Sequence, residues 1–188
     1  ASIKIYGEDN YNAFGMSAKF APDIDGDDMP DVVVGAPFYG ANTSRYGRGY
    51  IFFNSSLSAT MQAGNANYIF EGEASLDYFG DNVSVGDLDG NGLTDIYWSA
   101  QGNDFGEESS GSAYLTMAQD LTQPGQYSAA NTSFKIYGSD PYLSTGQYGT
   151  ISGDYDGDGM NEAVTGSHFH NYFSNDGGLI SVFSGCEN

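Results

Sequence analysis

Basic residues are scarce in this chain: Lys and Arg together number 5 against 25 Asp plus Glu, for a formal net charge of −20. Charge of that sign repels phosphate backbones and anionic lipid, so nucleic-acid and acidic-membrane partners are not expected, whereas metal cations and neutral ligands are. Long apolar runs are also missing, and none approaches the roughly 18–20 residues a membrane helix needs, so no membrane insertion is expected. Cysteine occurs once, as Cys186, and cannot form an internal disulfide. A free tail thiol, an intermolecular bridge and half of a truncated pair all remain open. The chain opens Ala1-Ser2-Ile3-Lys4 without a basic-then-apolar leader, and the expectation is that any export signal has been removed or trimmed away. With so few Lys and Arg, long amphipathic helices are not expected. What is abundant is Gly (27), Tyr (15) and Phe (12), with 39% hydrophobic residues, which is too much apolar material for a disordered acidic tail. The 188 residues suffice for one turn-rich β domain with a sizeable core.

A threefold repeat organises the sequence. Ile3-Lys4-Ile5-Tyr6-Gly7, Tyr68-Ile69-Phe70-Glu71-Gly72 and Phe134-Lys135-Ile136-Tyr137-Gly138 align, placing glycines at 7, 72 and 138 and setting a period of about 65 residues. Aromatic-glycine pairs follow (Phe14-Gly15, Phe79-Gly80, Tyr148-Gly149), then an acidic nonapeptide, then an apolar run such as Val32-Val33-Val34. A second short run closes each unit, as in Tyr50-Ile51-Phe52. The runs are short, rich in β-branched and aromatic residues, and fenced by Gly, Asn, Asp and Ser, which is a strand signature. About four strands per repeat suggest all-β propeller blades, with repeats at approximately 3–67, 68–133 and 134–188 in one propeller unit, 1–188.

The acidic nonapeptides carry the chemistry. Side-chain oxygens recur at positions one, three, five and nine: Asp23, Asp25, Asp27 and Asp31; Asp87, Asp89, Asn91 and Asp95; Asp154, Asp156, Asp158 and Glu162. Calcium takes six to eight oxygen ligands, and alternate carboxylates on a tightly wound loop supply them. Position seven (Met29, Leu93, Met160) has no side-chain oxygen, so its backbone carbonyl is the expected ligand. Glycine at position four of every loop, and at position six of two, permits the positive φ such a turn needs, with Asp28 at position six of the first. Three Ca²⁺ sites are therefore expected. Magnesium fits less well, because it prefers a strict octahedron that retains several waters. Position twelve is Val34, Trp98 or Thr165 rather than Glu, and a strand rather than a helix is expected next, so these are not EF-hands.

Phe14-Gly15, the loop from Asp23 to Asp31, and Val33-Val34-Gly35-Ala36-Pro37 together resemble the FG-GAP repeats of integrin alpha-subunit propellers. The second repeat has Ser99-Ala100-Gln101 and the third Gly166-Ser167-His168 in place of Gly-Ala-Pro. The resemblance implies calcium-bracketed blades and an extracellular or cell-surface role in adhesion or in binding a protein or carbohydrate ligand. It also implies that the outermost strand of one blade comes from the opposite end of the chain. Three blades are too few to close a ring. Two chains join as a six-bladed homodimer that exchanges the 3–7 strand, or the chain belongs with other blades of a larger propeller and has no ligand of its own, or the form is unclosed or filamentous.

Catalytic patterns are weak. No Gly-x-Ser-x-Gly elbow precedes a helix, and Glu71, Glu73, Glu107 and Glu108 are not repeated. A non-enzymatic module is expected, with a secreted carbohydrate-active hydrolase or lyase as the alternative. His168 and His170 read as surface histidines, Tyr46, Tyr172 and Phe173 as loop aromatics or a ligand-binding rim, and Trp98 as core.

Overall fold

The computed structural model describes residues 2–41, 43–168 and 177–184; Phe169, His170, Tyr172, Phe173 and Cys186 lie outside them. The architecture is all-β. Among the described residues there are fourteen strands, no α-helix and four single-turn 3₁₀ segments.

The first sheet contains β2 (Ser17–Ala21), β3 (Asp31–Ala36), β4 (Arg48–Phe52) and β6 (Tyr68–Glu71), paired antiparallel in that order. The second repeats the pattern with β7 (Val83–Gly86), β8 (Asp95–Ala100), β9 (Ser112–Thr116) and β11 (Phe134–Tyr137). The third has β12 (Thr150–Ser152), β13 (Glu162–Ser167) and β14 (Leu179–Phe183). Two further strands lie outside this scheme. β10 (Gly125–Ser128) joins the far edge of β6 in parallel, and β5 (Thr60–Gln62) pairs in parallel with β1 (Lys4–Tyr6) as a separate ribbon. The sheets thus hold five, four, three and two strands, so four per unit is met by the second alone.

The Tyr-Ile-Phe-Glu-Gly type segments at 68–72 and 134–138 supply the fourth strand, β6 or β11, of the sheet whose first two strands flank the preceding acidic loop. Tyr68, Ile69 and Phe70 are all buried there. The first strands of the three sheets, β2, β7 and β12, pack side by side. This layout of successive antiparallel sheets is consistent with a propeller.

Aromatic side chains fill the gaps between sheets. Trp98, expected in the core, is fully buried and donates its indole N–H to the Thr116 hydroxyl at 3.1 Å. Phe70 of β6 lies 6.2 Å from the Trp98 ring of β8, and Phe79 lies 5.5 Å from Trp98 and 5.2 Å edge-on from Tyr114, so that the Phe70–Trp98 contact binds the first sheet to the second. Tyr97 does the same toward the third, packing with Ile151 and Ala163 and donating its hydroxyl to the Gly146 carbonyl at 2.9 Å. The sheets meet so closely at Gly35 that a Cβ there would collide with the Gly80 carbonyl.

A tight double turn precedes each first strand. Tyr11 and Ala13, Leu76 and Tyr78, and Tyr142 and Ser144 all have positive φ, and each pair is followed by glycine at 15, 80 or 146, also at positive φ. These glycines donate to equivalent carbonyls, of Gly35, Ser99 and Gly166. The third partner of Phe14-Gly15 and Phe79-Gly80 is therefore Thr145-Gly146, not Tyr148-Gly149. Thr145 is buried, as Phe79 is, whereas Tyr148 is 70% exposed.

Candidate metal centres

Each acidic loop joins the first strand of its sheet to the second, and one hydrogen-bond scheme winds all three. The position-one carboxylate collects the N–H groups of the turn. Asp23 accepts from Gly26 (2.7 Å), Asp27 (3.1 Å) and Asp28 (3.1 Å), and Asp154 accepts from Gly157 (2.6 Å), Asp158 (3.1 Å) and Gly159 (3.0 Å). Asp87 accepts from Asn91 and Gly92. Position five then accepts from position seven: Met29 N–H to Asp27 at 2.9 Å, Leu93 to Asn91 at 2.7 Å, Met160 to Asp158 at 2.8 Å. The backbone adopts the expected left-handed steps, with φ of 82°, 70° and 84° at Gly26, Gly90 and Gly157 and of 63° at Asp28.

Position nine is the anchor, at the first residue of β3, β8 and β13. Asp31 and Asp95 are 0% exposed and Glu162 2%. Asp31 accepts from Ile24 and Asn54 N–H, both at 2.8 Å, and Asp95 from Leu88 at 2.7 Å and Ala118 at 2.9 Å. One carboxylate thereby ties the loop to the chain leaving the third strand. Glu162 accepts from Tyr155 at 2.6 Å, and its Oε1 is buried without a partner among the described residues.

Carboxylate oxygens converge inside these turns. One oxygen from each of Asp23, Asp25 and Asp27 lies within 4.8 Å of the others, and the same holds for Asp87, Asp89 and Asp95 and for Asp154, Asp156 and Asp158. The second trio thus draws in its buried position-nine carboxylate, while the first and third are made of positions one, three and five. Such an all-oxygen donor set fits a hard divalent cation. The ion pairs between described residues run from Arg48 to Glu8 and Glu71 and from Lys135 to Glu73, so none neutralises a loop. Desolvation, then the neighbouring Asp27 and Asp23 charges, raises the Asp25 carboxyl above its usual range. Burial raises Asp31 as well, and it carries Asp95 to about 6 against the pull of its two N–H donors.

Two features escape sequence reasoning. Gln119, thirty residues away, donates its amide to Asp89 at 2.7 Å and accepts from Asn91 at 2.9 Å, bracing the second loop. The loops are also tied to one another through position eight. Thr94 N–H donates to the Asp23 carbonyl at 2.6 Å, and Asn161 N–H to the Asp87 carbonyl at 2.9 Å. Of the histidines, His168 stacks edge-on with Tyr148 at 5.5 Å, in a setting unlike the carboxylate trios.

Comparison with known proteins agrees with this geometry. The FG-GAP repeat model matches residues 14–52 and 79–115, each span running from the positive-φ glycine turn through the acidic loop to the third strand. Mouse (Mus musculus) integrin alpha-M is 34% identical over 96 residues, covering 50% of this chain and 8% of the integrin. Integrin alpha pat-2 of Caenorhabditis briggsae is 36% identical over 98 residues, again 50% and 8%. Mouse integrin alpha-7 is 36% identical over 85 residues, 44% and 6%. The matches thus span less than a tenth of these relatives' length. The third unit, where threonine replaces the phenylalanine of the Phe-Gly pair, lies outside the residues that the family model matches. The chain carries the FG-GAP repeat in two places, residues 14–52 and 79–115.

Proposed function

We propose that this chain is a calcium-braced β-propeller module working outside the cell, at or near the cell surface, in adhesion or in binding a protein or carbohydrate ligand. The observation that carries the reading is the threefold recurrence of one hydrogen-bonded carboxylate turn, two copies of which lie within FG-GAP repeats similar to those of integrin alpha subunits. In each loop Ca²⁺ would be held by positions one, three, five and nine and by the position-seven carbonyl: Asp23, Asp25, Asp27, Asp31 and Met29; Asp87, Asp89, Asn91, Asp95 and Leu93; Asp154, Asp156, Asp158, Glu162 and Met160. The role is structural. A cation cancels charge that no basic side chain among the described residues pairs with and fixes the bend between two strands, and near-millimolar calcium outside cells would keep such loops filled.

Carboxylates outside the loops favour a binding module over a hydrolase. Glu71 accepts from Arg48, whose guanidinium also meets Glu8 and lies 3.6 Å over the Tyr39 ring. Glu73 is bonded to Lys135 and accepts from the Tyr114 hydroxyl at 2.8 Å. These groups are spent on joining strands. Thermal melting with millimolar calcium and with a chelator tests the proposal, and calcium is expected to raise Tm by several degrees. A Tm indifferent to chelator would overturn the structural-cation role.

A further inference from the structure

Two strand edges in this chain are complementary and separated. β14 is the third strand of its sheet, equivalent to β4 and β9, yet among the described residues nothing pairs with its outer edge. Its residues are correspondingly exposed: Val182 55%, Ile180 71% and Leu179 45%. Their counterparts beneath a fourth strand are buried, with Ile51 and Leu115 at 0% and 6%, Ala113 at 0%, and Arg48 and Ser112 at 7% and 0%.

β1 presents the matching edge. It stands to β5 as β6 stands to β10, as the inner member of a parallel pair, but among the described residues it has no antiparallel neighbour of the kind that β6 has in β4. Lys4 donates its N–H to the Ala59 carbonyl on the β5 side at 3.1 Å. Backbone groups alternate along a strand, so the N–H and C=O of Ile3 and Ile5 point to the free side. Gly7 sits where Gly72 and Gly138 do, and those two donate to the carbonyls of Gly47 and Gly111. Gly47, Gly111 and the equivalent Gly178 share φ of 79°, 75° and 73°, so the acceptor turn before β14 is already shaped.

We infer that β14 takes β1 of a second copy of this chain as its fourth strand, antiparallel, in the register Ile3 to Val182, Lys4 to Ser181, Ile5 to Ile180 and Tyr6 to Leu179. The added strand continues the register of the first two sheets, where Tyr68 meets Ile51 and Phe134 meets Leu115. The occupant is a second copy because β1 of the same chain is held at β5. Two such junctions pair two copies into one closed ring, which leaves no sheet edge of this kind open. The inference rests on the propeller reading above.

Light scattering on the eluted peak of the 188-residue chain in calcium tests it, with a mass of twice 20.0 kDa expected at micromolar concentration. Ile5→Pro removes one donor from the free edge and spares the Lys4 bond to β5, and it should return the mass to 20.0 kDa with the calcium-dependent melt retained. Register is read by mixing Lys4→Cys and Ser181→Cys chains, each with Cys186→Ser. These should oxidise to a linked dimer, because that pair is not hydrogen-bonded and its Cα atoms fall within disulfide reach. Tyr6→Cys with Ser181→Cys, two residues out of step, should not. A mass of 20.0 kDa at all concentrations, a ladder of open polymers, or a dimer that fails to link at 4 and 181 would each overturn the exchange. Any of these with a calcium-dependent Tm intact would leave the cation reading standing, whereas loss of that dependence alone would strike only the latter.

Discussion

Replacing Asp25 by Asn should change sign between calcium and chelator. Asp25 is exposed, and its carboxylate accepts only from the N–H groups of Asp27 and of its own residue, bonds that an amide oxygen can also accept, so the substitution chiefly removes charge. Its carboxylate oxygen lies within 4.8 Å of one from Asp23 and one from Asp27. Two like charges at that distance repel by about 1 kcal/mol in a water-like dielectric, so two pairs cost about 2 kcal/mol, cut to about 1 kcal/mol by physiological salt. In chelator Asp25→Asn should therefore stabilise the protein by about 1–2 kcal/mol, moving the urea midpoint up by roughly 0.5–1 M. In calcium at about a hundred times the dissociation constant, a filled site contributes about 2.7 kcal/mol, most of which the variant forfeits. The same variant should then unfold at lower urea than the parent. Urea is the denaturant of choice because guanidinium would screen the effect. Destabilisation of similar size under both conditions would mean that the loop carboxylates are hydrogen-bonding struts rather than a repulsive cation cage.

Without cation, the protein should also grow more stable on mild acidification. Asp95 is raised to about 6 in the fold against 3.8 when unfolded, so the native state binds the proton first and stability rises as pH falls from about 7 toward 4, by up to about 3 kcal/mol from this group; with calcium the trend should reverse, since protons compete for the ligands, and melts at pH 5 and 7 read both signs. Gly35→Ala should lower the unfolding free energy by about 1–3 kcal/mol with and without calcium, because the new methyl strikes the Gly80 carbonyl between the first two sheets, and a chelator-dependent loss would contradict that origin.

Much of the fold is legible in the sequence because each strand is its own signal. Val32-Val33-Val34 and Ile96-Tyr97-Trp98 are β-branched and aromatic runs fenced by acidic loops, and all but the half-buried Val32 are buried. The loop conformation was equally readable, since glycine at fixed positions leaves few ways to wind a nonapeptide. Tyr148-Gly149 has the aromatic-glycine pattern of the first two repeats, but the turn itself requires only the glycine, which is Gly146. The spacing held the answer: Gly15, Gly80 and Gly146 precede their loops by eight, seven and eight residues, Gly149 by five. Positive φ at Tyr11, Leu76 and Tyr142 carries no such signature, for these side chains disfavour it. β5 and β10 are weak as sequence. Gly125-Gln126-Tyr127-Ser128 becomes a strand because the edge of β6 is there to receive it. Gln119 reaches the second loop only through the sheet, which no local pattern foretells.

The position-eight hydrogen bonds make the three bends a coupled series with a polarity. Each leans on the one before it, through Thr94 to Asp23 and through Asn161 to Asp87. The corresponding residue of the first bend is Pro30, which has no N–H to offer upstream. Whatever unit stands before the first sheet is thus joined to it without this link, and the series has one loose end by covalent necessity. Fraying of the bends would begin at that seam and travel toward the third.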